Sequence, residues 1–439
     1  MNIVINYKKN PLIFGTLLLS FSGLLCRGIG FFYRLFISRA FGEEAMGIFQ
    51  LVSPVLMMGY SLTTAGMQTA ISRFVASSYQ KKEEMLCHRY LFFGAGFSFF
   101  LACLYSCAIY GQAEFISLTF LQETRCIPLL KVLALSFPLS ALHGCFNGYY
   151  YGKKETTLPA LTQIMEQMAR CTSIILLYYY FLSQGITPSI LLTCFGALIG
   201  ELASCFVILF FYLKSRRKDP IIPSSSFSFL PLLTFSIPLT FNRVMVNLLH
   251  TLESISIPQA LKQFGYSPSA SLSIYGVFTG MALSLIFFPS TFTNSASVLL
   301  LPAISEAASE HNIQKIRSTL YKTLSTSISL GLLFGSFFFL FAPLLGNLLF
   351  DSMLAGIFIR RLGFLCPFLY LHTTLSSILN GLKKSTYTLF INIISLLIRL
   401  FFVMFLIPQY GINSYLYGLI ISEAFSSLLC LLFLRKYFY

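Results

Sequence analysis

Apolar windows of about 20 residues recur along almost the whole chain, parted by short segments where Lys, Arg, Pro, Asn and Ser collect. A helix needs roughly 20 apolar residues to cross a hydrocarbon core of about 30 Å. Twelve windows meet that requirement, near 12–36, 46–68, 90–111, 127–149, 158–182, 189–213, 228–250, 272–298, 324–346, 357–379, 387–408 and 413–434. The pattern predicts an all-α polytopic membrane protein with twelve transmembrane helices. Composition agrees, since 56% of the 439 residues are hydrophobic, 10% are charged, and the mean hydropathy is +0.77, which is too apolar for a soluble domain. Met1 to Asn10 leads straight into a span too long, and too poorly flanked by small residues, for a cleavable signal, so none is expected.

Positive charge is retained on the cytoplasmic side of a membrane, so the Lys and Arg in short loops set the orientation. With the N-terminus inside, cytoplasmic segments hold 19 of the 30 Lys and Arg residues, external ends hold 7, and 4 lie within spans. Both termini are therefore expected in the cytoplasm, with the chain spanning a cytoplasmic membrane. The net charge of +15 is spread over seven cytoplasmic segments rather than gathered on one face, which argues against a nucleic-acid partner. All eleven cysteines sit in or beside spans without paired metal-type spacing, and read as small packing residues. With no Trp in the chain, Tyr149 to Tyr151, Tyr178 to Tyr180, Tyr415 and Tyr417 are expected to form the interfacial aromatic belt.

The chain carries an internal repeat. Ala70-Ile71-Ser72 returns as Ala303-Ile304-Ser305, and Asn147-Gly148 returns as Asn380-Gly381, both displaced by 233. Lys153-Lys154 and Thr156 reappear as Lys383-Lys384 and Thr386, while Gly196, Glu201 and Ser204 match Gly418, Glu423 and Ser426 at a displacement of 222. Six spans per half give both halves the same orientation, a parallel repeat about an axis along the membrane normal. The expected architecture is an N-terminal six-helix lobe, 1–213, a cytoplasmic linker, 214–227, and a C-terminal six-helix lobe, 228–439, around a central cavity.

An ionisable group inside a span costs at least about 2.5–3.5 kcal/mol on insertion scales, so each one is a candidate for function. Arg27 lies midway along the first span between Gly23, Gly28 and Gly30, which would permit bending or close helix approach. Arg34 follows two turns later on nearly the same face; a cationic wall for an anionic head group and a pair of snorkelling arginines are the competing readings. Gln163, Glu166, Gln167 and Arg170 stack on one stripe of the fifth span. Glu166 and Arg170 form an i, i+4 pair, either a clamp between helices or, at Glu166, a site for a coupling ion, H+ or Na+. In the seventh span, Asn242 and Arg243 follow Pro238, where a helix break lining a cavity is expected. Arg399, in the eleventh span seven residues after Asn392, is the counterpart of Arg170 with no acid nearby in sequence, and so is expected to be available to a ligand. Glu201 and Glu423 are read as structural, and His143, His250 and His372 as packed histidines without metal-ligand spacing. No cofactor and no metal site are expected. The candidate cavity set is Arg27, Arg34, Glu166, Arg170, Asn242, Arg243 and Arg399. Its positive balance favours a phosphate or pyrophosphate group, which arginine recognises geometrically.

Four stretches carry a family resemblance: GLLCRGIGFFYRLFISRAFGEEAMG from Gly23 to Gly47, TAGMQTAIS from Thr64 to Ser72, QIMEQMAR from Gln163 to Arg170, and Phe288 to Glu306, ending LLLPAISE. Together, over residues 12 to the end, they resemble the stage V sporulation protein B group of polysaccharide flippases, within the multidrug, oligosaccharidyl-lipid and polysaccharide exporter superfamily. The resemblance implies a two-lobed helical flippase that moves undecaprenyl-pyrophosphate-linked sugar precursors outward by alternating access, associated with spore cortex peptidoglycan. Arg27 stands in an Arg-x-x-Gly-Phe context that matches a cavity arginine of the related lipid II flippases. Those relatives place an Asp-Arg pair before the Phe-Pro of span eight, where this chain has Leu283 and Ser284 before Phe288-Pro289. Family members often have two further C-terminal helices proposed to cradle the lipid tail; this sequence ends at Tyr439 after span twelve, which leaves the place of the polyprenyl chain open.

An enzyme is not expected, because no phosphate-cradling glycine loop, no His-Glu-x-x-His and no large extramembrane region is present in the sequence. The alternatives are a cation-coupled drug antiporter of the same superfamily and a non-transporting scaffold for cell-wall or spore assembly proteins. The expected partners are an anionic lipid-linked glycan, membrane lipids and cell-wall synthesis proteins.

Overall fold

The computed structural model describes residues 11–216, 228–310 and 312–435. Most of the expected linker, together with Lys8, Lys9, Arg217, Lys218 and Lys436, lies outside the described residues. Every described element is helical, as lipid requires of a chain whose backbone groups must be satisfied internally. The helices are α1 (11–41), α2 (43–80), α3 (Glu84–Gly111), α4 (Cys126–Ala134), α5 (Phe137–Gly152), α6 (Thr157–Ser183), α7 (Leu191–Arg216), α8 (Leu230–Phe264), α9 (Pro268–Phe287), α10 (Ser290–Ser309), α11 (Ile313–Phe350), α12 (Met353–Gly381), α13 (Ser385–Tyr410) and α14 (Ile412–Leu434).

All twelve predicted spans fall within these helices to about two residues at either end. Span four is the bent pair α4 and α5, turned through 44°, and span eight is the pair α9 and α10 on either side of Pro289. Gly42 divides α1 from α2 at φ 84°, a backbone conformation open to glycine and strained for other residues. Among the described residues nine helical segments are long and apolar enough to cross a membrane, or ten with the bent pair; one of the nine, Leu17–Gln80, contains both α1 and α2. Several helices outrun their apolar windows, α2, α8 and α11 most of all. The break expected at Pro238 is absent, because α8 runs unbroken from Leu230 to Phe264. Proline there removes one ladder hydrogen bond, and the helix absorbs that loss.

The chain forms two compact units, Met1–Ile29 with Leu51–Thr251, and Gly30–Gln50 with Leu252–Tyr439. These boundaries fall inside α1, α2 and α8 rather than at the linker. The first unit centres on Met67, Ile71, Val75, Leu91, Phe146 and Tyr149; the second centres on Ile304, Leu320, Leu375, Ile378, Leu379 and Ile391. Tyr149 and Tyr150 belong to the first core and Tyr415 is also buried, which corrects their assignment to an interfacial belt; Tyr179, Tyr180 and Tyr417 are exposed.

The repeat acquires a physical basis and a corrected register. Phe137–Gly152 and Cys366–Gly381 are both 16-residue helices with proline second, followed by a lysine at positive φ, Lys154 and Lys383. The displacement over this region is therefore 229, and the Asn-Gly match at 233 lies one helical turn out of register on the same face. Gly152 packs on the Ser72 carbonyl, while the Ser305 hydroxyl donates to the Gly381 carbonyl at 2.8 Å. The same serine–glycine meeting thus closes α2 on α5 and α10 on α12.

Candidate functional site

The polar stripe of α6 faces α7, and small residues allow the approach. A side chain at Gly200 would lie 2.9 Å from the Glu166 carbonyl, and one at Gly196 would lie 3.2 Å from the Arg170 carbonyl. Glu201, next to Gly200, is thereby carried against the stripe. Arg170 Nη2 donates to Glu166 Oε1 at 2.5 Å, as the i, i+4 spacing predicts. His143 of α5 completes the group: its Nδ1 lies 3.6 Å from Glu201 Oε2 and 3.2 Å from the Ser204 hydroxyl. On its other side, Nε2 meets the Asn147 amide at 3.0 Å and the Thr162 hydroxyl at 3.2 Å. One donor atom each from His143, Glu166 and Glu201 lie within 4.8 Å of one another. This set could hold a small cation. Glu201 Oε2 and Gln167 Oε1 are buried and make no hydrogen bond among the described residues.

The second unit contains the same four residue types. His372 of α12 and Glu423 of α14 meet through Nδ1 and Oε2 at 2.7 Å. Arg399 of α13 lies 3.7 Å from Glu253 of α8, and the Tyr415 hydroxyl donates to that same Glu253 Oε1 at 2.6 Å. The expectation that Arg399 has no acid nearby is thus overturned. Its partner is 146 residues away in sequence, on the part of α8 that extends beyond the predicted span. At displacement 229, Glu166 is replaced by the buried Ser395, and Glu253 supplies the missing carboxylate from a different helix. Glu201 and Glu423 already match at displacement 222, but reading the histidines as scattered missed the pairs. Comparing the halves at displacement 229 would have matched His143 with His372.

The other candidates are more open. Arg27 is exposed on α1 and pairs with no acid among the described residues; Arg34 is exposed two turns further along the same helix. Gly23 and Gly28 have nothing within 4 Å of an added side chain, so they leave room around Arg27 rather than serving a close helix contact, and α1 stays helical through both. Asn242 and Arg243 are exposed on α8, and Arg243 has Tyr60 of α2 as an electrostatic neighbour. The α2–α8 contact beside them is tight, with Gly66 against the Thr240 side chain and the Asn247 amide donating to the Ser61 hydroxyl. The structure therefore groups Glu166 with Arg170, pairs Arg399 with Glu253, and leaves Arg27, Arg34 and Arg243 without a carboxylate partner among the described residues.

The profile of the polysaccharide biosynthesis protein family matches residues 12–308. The chain belongs to that family. A second profile, MatE, matches residues 238–405. Stage V sporulation protein B of Bacillus subtilis (strain 168) is 27% identical over 413 residues, covering 92% of this chain and 80% of that protein. The lipid II flippase MurJ of the same organism is 21% identical over 348 residues, covering 73% and 63%. Among solved structures, lipid II flippase MurJ in an inward closed conformation has a TM-score of 0.73 at 16% identity, over 96% of this chain and 89% of that chain. An inward-facing multidrug resistance MATE family transporter of the MOP superfamily has a TM-score of 0.70 at 13% identity, over 94% of each. The structural likenesses establish the fold, that of twelve-helix transporters. This member of the polysaccharide biosynthesis family is a multi-pass membrane protein with that fold.

Proposed function

We propose that the protein is a flippase that moves an anionic lipid-linked glycan, of the undecaprenyl-pyrophosphate class, outward across a bacterial cytoplasmic membrane by alternating access. The observation that carries this reading is Arg27, an exposed guanidinium within a span that has no acidic partner among the described residues. Holding such a charge inside a membrane is costly, and an anionic head group would offset that cost. In the same unit Arg243 adds to the positive balance while Arg170 is already matched by Glu166; in the second unit Arg34 is exposed and Arg399 is matched by Glu253. Asn242 is a neutral hydrogen-bonding group beside Arg243. An apolar groove of about 490 Å3 in the first unit, lined by Met67, Phe92, Phe93, Phe97, Phe229 and Leu233, offers hydrocarbon-lined space for a lipid tail. The distribution of Lys and Arg supports cytoplasmic termini, and the repeat supports two six-helix lobes, 1–213 and 228–439, joined by the linker 214–227.

The test is charge reversal. Arg27→Glu and Arg243→Glu, each made separately, are expected to abolish complementation of a flippase-deficient strain and the translocation of a labelled undecaprenyl-pyrophosphate sugar in vesicles, at unchanged protein abundance. Full activity in both variants would overturn the anionic-cargo reading. The fold shared with a multidrug transporter motivates a second reading, a cation-coupled drug antiporter; dye efflux insensitive to Arg27→Glu is its expected signature.

A further inference from the structure

The second unit holds a pair of arginines that the cargo reading does not use. Arg360 and Arg361 stand in the last turn of the first helical stretch of α12, Met353–Leu362, and successive helix positions project about 100° apart. They line a notch of about 310 Å3 between α11 and α12, together with Phe339, Ile357 and Phe364. Each guanidinium is held by a neutral neighbour. Arg360 stands over the Phe339 ring, 4.7 Å from its centroid, a contact that uses the π face of the ring and none of the arginine's hydrogen bonds. Arg361 donates through Nη1 to the Asn413 side-chain oxygen on α14 and keeps its other donors. Neither has an acidic partner among the described residues. Arginines at the end of a membrane helix commonly snorkel towards water, whereas this pair is tied back onto an aromatic ring and an amide. Ile357 and Phe364 are exposed apolar side chains, and Phe364 meets Phe339 edge-on at 5.4 Å.

We propose that this notch is a binding site for one anionic glycerophospholipid of the surrounding bilayer, with its phosphate between Arg360 and Arg361 and an acyl chain along Phe339, Ile357 and Phe364. Apolar walls beside two unmatched cations call for an amphiphile with a hydrocarbon end and a negative, acceptor-rich end. A phosphodiester meets guanidinium N–H groups in good geometry, and its charge matches theirs. Free phosphate would leave the apolar lining uncovered. A choline head group would set a further cation beside the two arginines, and like charges repel. Basic pockets between membrane helices bind anionic lipid head groups on the same grounds. The two arginines are already held before the lipid arrives, so little ordering cost is left to binding. A lipid seated here touches α11 and α12 together and, through Arg361 and Asn413, bears on the start of α14. Arg27 and Arg243, the groups assigned to cargo, belong to the first unit, and the notch belongs to the second.

Native mass spectrometry of the full-length protein in neutral detergent, with phosphatidylglycerol or phosphatidylcholine added and no lipid-linked glycan present, tests this independently of the flippase reading. Wild type is expected to retain phosphatidylglycerol in preference to phosphatidylcholine, and to unfold at a higher temperature when phosphatidylglycerol is bound. Arg360→Gln/Arg361→Gln loses one retained phosphatidylglycerol per chain and that share of the thermal shift. Arg317→Gln/Lys322→Gln, which removes as much positive charge from exposed positions on α11, keeps both. Equal retention of the two lipids by wild type overturns the proposal whether or not the variants fold, as does an equal loss of phosphatidylglycerol in the two double variants. Inorganic phosphate that reproduces the thermal shift would reduce the notch to an anion site, and displacement of phosphatidylglycerol by an equal amount of undecaprenyl phosphate would give it to the cargo. Either result overturns the bilayer-lipid assignment, and neither bears on Arg27.

Discussion

The two His–Glu–Glu–Arg groups are built from the same residue types but differ in how their charges are matched. In the first unit the arginine and its acid lie one turn apart on α6, and the histidine and second acid are separated by 3.6 Å. In the second unit Arg399 draws its acid from α8, Tyr415 ties that acid down, and His372 grips Glu423 at 2.7 Å. The shortest ion pair of the first group lies within one helix, whereas the shortest contacts of the second, His372–Glu423 at 2.7 Å and Tyr415–Glu253 at 2.6 Å, join different helices and fasten them together.

The largest effect should follow from cutting that fastening. Glu253 is 5% exposed, and Glu253→Gln leaves Arg399 buried without its acid and weakens the Tyr415 contact. Removing one partner of a buried ion pair costs about 3–5 kcal/mol. Thermal unfolding in nanodiscs should show that loss, and Glu166→Gln should cost less, about 1.5–3 kcal/mol, because Arg170 is more exposed than Arg399 and its pair lies within one helix. Equal losses would erase the distinction between a pair that joins two helices and a pair within one.

A smaller effect is expected from the packing that brings α7 to α6. Ser422 occupies the position of Gly200 in the second half, and serine is tolerated there. In the first half, Gly200→Ser places a side chain 2.9 Å from the Glu166 carbonyl, which is backbone and cannot rotate away. Overpacking of this kind costs about 1–3 kcal/mol. The variant should be less stable by that amount in thermal unfolding. Unchanged stability would mean that α6 and α7 are not held together at this point.

How much of this was legible along the chain follows the range of each interaction. Helical spans are a property of local hydropathy and were readable, as was the Glu166–Arg170 pair, whose partners are four residues apart. The partner of Arg399 was not, because Glu253 lies past the apolar window of its span, and hydropathy gives no reason for α8 to continue to Phe264. The His–Glu pairs were visible only in a register that the Asn-Gly repeat obscured by one helical turn. Arg27 could be singled out because a charge within an apolar window is conspicuous, yet the open space beside Gly23 and Gly28 is a matter of neighbouring helices and has no sequence signature.

The finest test concerns the threonines that flank each group. Thr162 touches His143 Nε2 at 3.2 Å, whereas Thr388 donates to Asn380 at 3.1 Å and has no hydrogen bond to His372 among the described residues. Either hydroxyl has one hydrogen to donate, that of Thr162 having His143 Nε2, Asn147 Oδ1 and the Pro159 carbonyl within reach, so valine costs about 0.5–1.5 kcal/mol at each site and stability alone would not separate them. The imidazole nitrogen resonances should. Thr162→Val is expected to move those of His143, since a partner of its Nε2 is gone, while Thr388→Val leaves those of His372 in place because Glu423 holds that ring through Nδ1. If Thr388→Val shifts the His372 signals as far as Thr162→Val shifts those of His143, the second pair depends on its surroundings as much as the first, and the contrast between the two groups would have to rest on Arg399 and Glu253 alone.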